Sequence, residues 1–179
     1  MTQSERPAPP CTIDIVVESP LWNDVSDIES HVRRAAEAAL PPDHEDCELA
    51  VVLTDDQTMR ALNARFRGKD GATNVLSFPA PTSSQRTAEG RRGEPVFLGD
   101  IVIAFDTAKA EADAEGKEFY HHFAHLLVHG VLHLLGYDHC SDAEAEAMEA
   151  RERAILGRLD MPDPYDERDL ALSARHDRA

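Results

Sequence analysis

Phe119-Tyr120-His121-His122-Phe123-Ala124-His125-Leu126-Leu127-Val128-His129-Gly130-Val131-Leu132-His133-Leu134-Leu135-Gly136-Tyr137-Asp138-His139 opens with the longest apolar segment of the chain. Phe123, Leu126, Leu127, Val128, Val131, Leu132, Leu134 and Leu135 point in nearly every direction of a helix over 119–135. A helix that is apolar all round is buried, so this one is read as the central element. Histidines 121, 125, 129 and 133 lie along one stripe of it. Residues four apart share a helix face, so His129 and His133 can aim two imidazoles at one point. Gly136 can end the helix in a left-handed turn, and two more residues bring His139 back toward that point. Three neutral imidazoles with one open position are the ligand set of a catalytic zinc rather than a closed structural one. The pattern suggests hydrolysis by an activated water.

One HxxxH pair among nine histidines is weak, because a buried histidine is often satisfied by a backbone carbonyl. Here the pair lies on an apolar helix, where unpaired polar groups are costly. A glycine stands where the chain must turn, and a third histidine follows. His125 could replace His139 as a ligand, but the Gly136 turn would then have no purpose. It is read as supporting a ligand or facing substrate. Cys140 is read as a small loop-edge residue, not a fourth ligand. The spacing H-x3-H-x2-G-x2-H recurs in metzincin proteases. Those carry a glutamate base directly after the first histidine. Here that position is Gly130, which lacks the base that peptide hydrolysis needs and leaves room for another group beside the metal.

Upstream, residues 12–18 are β-branched and read as a strand. Val25, Ile28, Val32, Ala36 and Leu40 have helical spacing over 24–40, stopped by Pro41 and Pro42. Residues 48–53 form a second strand. Thr54 with Gln57 resembles a capping box, opening a helix over 55–66 whose Met59, Leu62 and Phe66 face the core. Asn74 to Phe78 is a short strand ended by Pro79, and 80–95 is a polar loop. Val96 to Phe105 is the last strand, interrupted at Gly99-Asp100. A helix follows over 107–115. Ser141 and Glu144 make a capping box for a final helix to about residue 157. The order implies an α+β fold, with helices packed on a small mixed sheet. Residues 1–10 are expected to be a flexible segment, 11–159 one metal-dependent hydrolase domain, and 160–179 a loose tail.

The chain has 179 residues, enough for one sizeable core. No apolar run approaches the ~18 residues of a membrane span. The polar, proline-rich start lacks the apolar stretch of a secretory signal, so a cytoplasmic location is expected. Cys11, Cys47 and Cys140 form no CxxC pair, and an odd count without a signal argues for reduced thiols. A net charge of −16 argues against nucleic-acid binding. Yet residues 60–92 carry Arg60, Arg65, Arg67, Lys69, Arg86, Arg91 and Arg92 against Asp70 and Glu89. A local basic surface on an acidic protein is compatible with that distribution, as is a solvated loop.

The block from His129 to His139 resembles the signature of the bacterial YbeY-type endoribonucleases. Two further blocks agree: Leu62-Asn63-Ala64-Arg65-Phe66-Arg67-Gly68-Lys69-Asp70-Gly71-Ala72-Thr73-Asn74-Val75-Leu76-Ser77-Phe78-Pro79, and Leu98-Gly99-Asp100-Ile101-Val102-Ile103. The likeness runs through Glu149 and covers roughly residues 47 to 160. It implies one zinc ion per chain, held by His129, His133 and His139. It also implies cleavage of single-stranded RNA, maturation of the 16S rRNA 3′ end, and ribosome quality control. Arg67 matches the family's functional arginine and, with His129, is the expected catalytic residue. Ala72 departs from the proline that many members carry, and loop 80–95 is longer than usual. The implied partners are rRNA on the ribosome and ribosomal or ribosome-associated proteins, with no DNA and no membrane. Competing readings are a metalloprotease or other metallohydrolase, opposed by Gly130, and a ribosome-associated factor with a mainly structural zinc, opposed by the open ligand position.

Overall fold

The computed structural model describes residues 11–42, 46–81 and 95–166. Four strands form one sheet: β1 (Thr12–Val17), β2 (Cys47–Thr54), β3 (Val75–Pro79) and β4 (Val96–Ala104). Their order is β1-β2-β4-β3. β1, β2 and β4 run parallel, and β3 is an antiparallel edge strand. Five helices accompany them among the described residues: α1 (Ile28–Ala39), α2 (Asp56–Arg67), α3 (Phe105–Ala114), α4 (Phe119–Leu134) and α5 (Asp142–Arg158). The expected mixed sheet with packed helices is what forms.

Two apolar faces divide the sheet, because side chains alternate along a strand. Leu49, Val51 and Leu53 of β2 and Ile101 and Ile103 of β4 join Val32, Phe123, Leu127 and Val131 in the main core. Val102 and Leu76 face the other way, onto Met59 of α2. α4 is therefore enclosed by the sheet, α1, α3 and α5, as its all-round apolar surface required. Trp22 is fully buried, donates its Nε1–H to the Thr54 carbonyl at 2.9 Å, and meets Phe105 and Phe123 edge-on.

Several expectations need correction. Helix 24–40 starts at Ile28, after a 3-10 turn over Pro20–Asp24. The cap of α2 is Asp55, which accepts from Thr58 N–H at 2.9 Å. Thr54 stays extended in β2, where its carbonyl is taken by Trp22. Phe66 does not reach the core: it is 56% exposed and stacks edge-on against Phe78. β4 is not interrupted but bulged, with Leu98 the extra residue between Glu48–Phe97 and Leu49–Gly99 pairs. Gly99 is needed there. Its φ is +135°, and a Cβ would lie 2.2 Å from the Phe78 carbonyl oxygen.

Cys11 and Cys47, expected as free thiols, form a disulfide with Cα atoms 4.5 Å apart. Composition could not see this, because it follows from register: Thr12 pairs with Glu48, which sets the preceding residues side by side. The expected loose tail is also wrong in its first part. Met161 packs on the main core, and Tyr165 packs against His125. Residues 1–10, 82–94 and 167–179 lie outside the described residues, and with them most of loop 80–95 and its Arg86, Arg91 and Arg92. No described helix is long and apolar enough to cross a membrane.

Candidate metal centre

α4 presents His129 and His133 one turn apart. The helix then ends in a complete Schellman motif. Tyr137 N–H donates to the Leu132 carbonyl at 3.0 Å, Gly136 N–H donates to that of His133 at 3.0 Å, and Gly136 has φ +94°. This turn carries His139 back over the helix end. One ring nitrogen from each of His129, His133 and His139 lies within 4.8 Å of the other two. These three residues can hold one metal ion.

The ring orientations test that fit. His133 Nδ1–H donates to the Tyr137 carbonyl at 2.9 Å. His129 Nδ1–H donates to Glu152 Oε1 at 2.6 Å. Each ring therefore turns a bare Nε2 lone pair inward, and the two Nε2 atoms lie 3.0 Å apart. Two lone pairs at that distance repel unless a cation stands between them. Burial, and then the neighbouring His129, push the His133 pKa below its usual value, which keeps that ring in the neutral form a ligand requires. His139 is exposed, so one side of the centre is open to solvent.

Cys140 is no fourth ligand. Its exposed thiol donates to Asp138 Oδ2 at 3.0 Å, which pushes its pKa up. Asp138 ties the turn rather than a ring: its Oδ1 accepts from His139 N–H at 2.8 Å.

Arg67, His133, Gly136, Tyr137, Asp138 and His139 line one pocket of about 390 Å³ with Ser77 and Pro79. Arg67 is the last residue of α2 and is exposed. Asn63 fixes its surroundings by donating to the Gly71 carbonyl at 2.8 Å, which folds the following loop back. Among the described residues Arg67 has no ion-pair partner, so its guanidinium, which carries five donors, is not committed to a carboxylate there. Of the expected basic window, only Arg60, Arg65, Arg67 and Lys69 lie among the described residues. Arg60 is consumed by Asp70 at 2.7 Å, and Arg65 lies over Phe66.

Gly130 has a different purpose from the one expected. It is buried against the sheet, and a Cβ would stand 2.9 Å from Ile101 Cγ2. Glycine at this position also means that no side chain here can act as the base beside the metal. Gly130→Ala should destabilise the fold. Overpacking costs about 1–3 kcal/mol, and helix propensity returns at most about 1 kcal/mol. Thermal or urea unfolding measures the difference, and a variant more stable than wild type would refute this packing.

Sequence reading missed two residues beside the histidines, Glu152 and Tyr165, both of them partners of His125. Glu152 of α5 is fully buried. It accepts from His129, from His125 Nε2 at 3.1 Å and from the Tyr165 hydroxyl. A signal did exist. Met148, Glu152, Ile155 and Leu156 form the buried stripe of α5, so a glutamate stands at a core-facing position.

The family model described as endoribonuclease YbeY matches residues 19–160. A protein of that name from Rhodopseudomonas palustris strain HaA2 is 53% identical over 173 residues, covering 94% of this chain and 87% of that protein. Another, from strain BisB18, is 51% identical over 164 residues, covering 90% and 95%. One from Bradyrhizobium sp. strain BTAi1 is 49% identical over 177 residues, covering 94% and 98%. A Thermotoga maritima protein solved in solution aligns with 87% of this chain at 21% identity, with a TM-score of 0.49. With half the residues shared along almost the whole length of these relatives, the chain belongs to the endoribonuclease YbeY family.

Proposed function

We propose that this chain is a zinc-dependent endoribonuclease that cuts single-stranded RNA, acting in maturation of the 16S rRNA 3′ end and in ribosome quality control. One observation carries the reading: Arg67, with no ion-pair partner among the described residues, shares a pocket with His133 and His139 of a three-imidazole cluster. The donor set suits zinc, since neutral imidazoles bind it well and the cluster offers three of four tetrahedral positions. When bound, zinc supplies Lewis acidity to the scissile phosphate and its attacking oxygen nucleophile.

The chain's own residues do the rest. His129, His133 and His139 hold the ion. Arg67 grips a phosphate through a two-pronged fork and offsets the charge that grows on it. The open side at His139 admits the strand. A duplex presents its phosphates at fixed spacing, whereas a single strand can bend into a pocket of this size. The hydrolase domain begins near residue 11, runs on past residue 159 through the packed segment that carries Met161 and Tyr165, and works in the cytoplasm.

Net charge −16 opposes tight binding to free RNA. Cutting of free RNA is therefore slow, and efficient cutting calls for a ribosome, or a ribosomal protein, to present the strand; DNA and membranes are not partners. The purified protein should cleave an unstructured RNA, leave a matched duplex and casein intact, and stop with chelator. Raising salt from ~50 to ~200 mM should weaken RNA binding sharply. Chelator-sensitive casein cleavage with untouched RNA would overturn the reading in favour of a protease.

A further inference from the structure

Glu152 is a buried carboxylate with no buried Lys or Arg beside it among the described residues. Its side chain is 1% exposed, and its three polar neighbours are His125, His129 and Tyr165. Burying a carboxylate without a compensating charge is expensive, so its retention in a core stripe calls for a reason. Three donors converge on its two oxygens and none of its neighbours can only accept, which is the hydrogen-bond pattern of an ionised carboxylate.

The neighbours are arranged as donors to one acceptor group. Oε1 takes the Nδ1–H of His129, and Oε2 takes His125 and the Tyr165 hydroxyl. The first bond fixes the tautomer of His129 and the angle of its ring, leaving Nε2 bare toward His133. The other two bonds keep the carboxylate from rotating. Tyr165 is itself held by the segment that follows α5. Its N–H donates to Asp163 Oδ1 at 2.9 Å, Arg153 lies over its ring at 4.8 Å, and Lys117 holds the Pro164 carbonyl at 2.9 Å.

We propose that Glu152 is the positioning residue of the metal centre: it orients His129 as a ligand and supplies the negative charge that balances the bound ion, while Tyr165 locks it in place. This rests on the metal-binding reading above. An ion held by three neutral imidazoles brings an uncompensated charge into the site. Glu152, one imidazole away, answers that charge as the ion answers its own. The C-terminal segment is therefore part of the centre rather than a tail.

The test uses the full-length apoprotein and zinc alone, in competition with a chromogenic chelator. Glu152→Gln keeps the size and one acceptor oxygen but removes the charge. Its zinc affinity should fall by roughly 10–100-fold. The melting temperature of the metal-free protein should not fall, since a buried charge is removed. Tyr165→Phe should weaken zinc several-fold. A purely structural glutamate would give the opposite pattern, with a lower apoprotein melting temperature and unchanged affinity, and that result overturns the assignment. If Glu152→Gln does not fold, Tyr165→Phe decides: several-fold weaker zinc supports the assignment, and unchanged affinity overturns it. Wild type that binds no zinc overturns the metal-centre reading together with this one.

Discussion

A His129→Ala/His133→Ala double variant is expected to purify without zinc and to cleave RNA no faster than buffer, while retaining its fold. Both rings are partly exposed and neither belongs to the main apolar core. Replacing them removes no core packing and ends the close approach of two lone pairs. It does leave Glu152 with two donors instead of three, so a modest loss of stability is expected. Metal analysis, circular dichroism and a cleavage assay separate these effects. Because ligands must be unprotonated, the wild-type protein should lose zinc in acid, below the ordinary imidazole value of roughly 6.5 since burial lowers that of His133. Unchanged zinc content in the double variant would refute the assignment of the ligands.

Arg67→Ala should keep both fold and zinc yet lose roughly 10²–10³ in cleavage rate, the usual effect of deleting one donor to developing charge. The residue is exposed at the end of α2 and has no ion-pair partner among the described residues, so nothing structural depends on it. Arg67→Lys should recover only part of the rate, because a point charge cannot form the two-pronged contact. Near-normal turnover by folded, zinc-loaded Arg67→Ala would show that the shared pocket is incidental.

The two variants draw on parts of the site that differed in how they could be read. The histidines were legible because everything that positions them is local: a helix period, a glycine stop and two residues of turn. Arg67 is 62 residues away from His129, and nothing near it in sequence marks it as special. It emerged from the family likeness, and the fold then brings it to the histidine pocket through the β3 edge. Glu152 stayed hidden although its stripe position was visible, because its partners belong to a helix packed across from it. The disulfide stayed hidden for a related reason, since strand register is set by the whole sheet. Asp55 displaced Thr54 as a cap only because Trp22, more than thirty residues away, holds the Thr54 carbonyl in the strand. Gly130 was noticed for what it lacks, whereas its cause is Ile101 on the neighbouring strand. Local patterns gave elements and ligands; long-range packing gave their supports.

The most direct test is a zinc titration of the full-length apoprotein, read by cleavage of an unstructured RNA. The account predicts no cutting without metal, a linear rise with added zinc, and a plateau at one equivalent per chain. Cleavage that is unaffected by stripping the metal, or a zinc-loaded protein that leaves RNA whole, would contradict it.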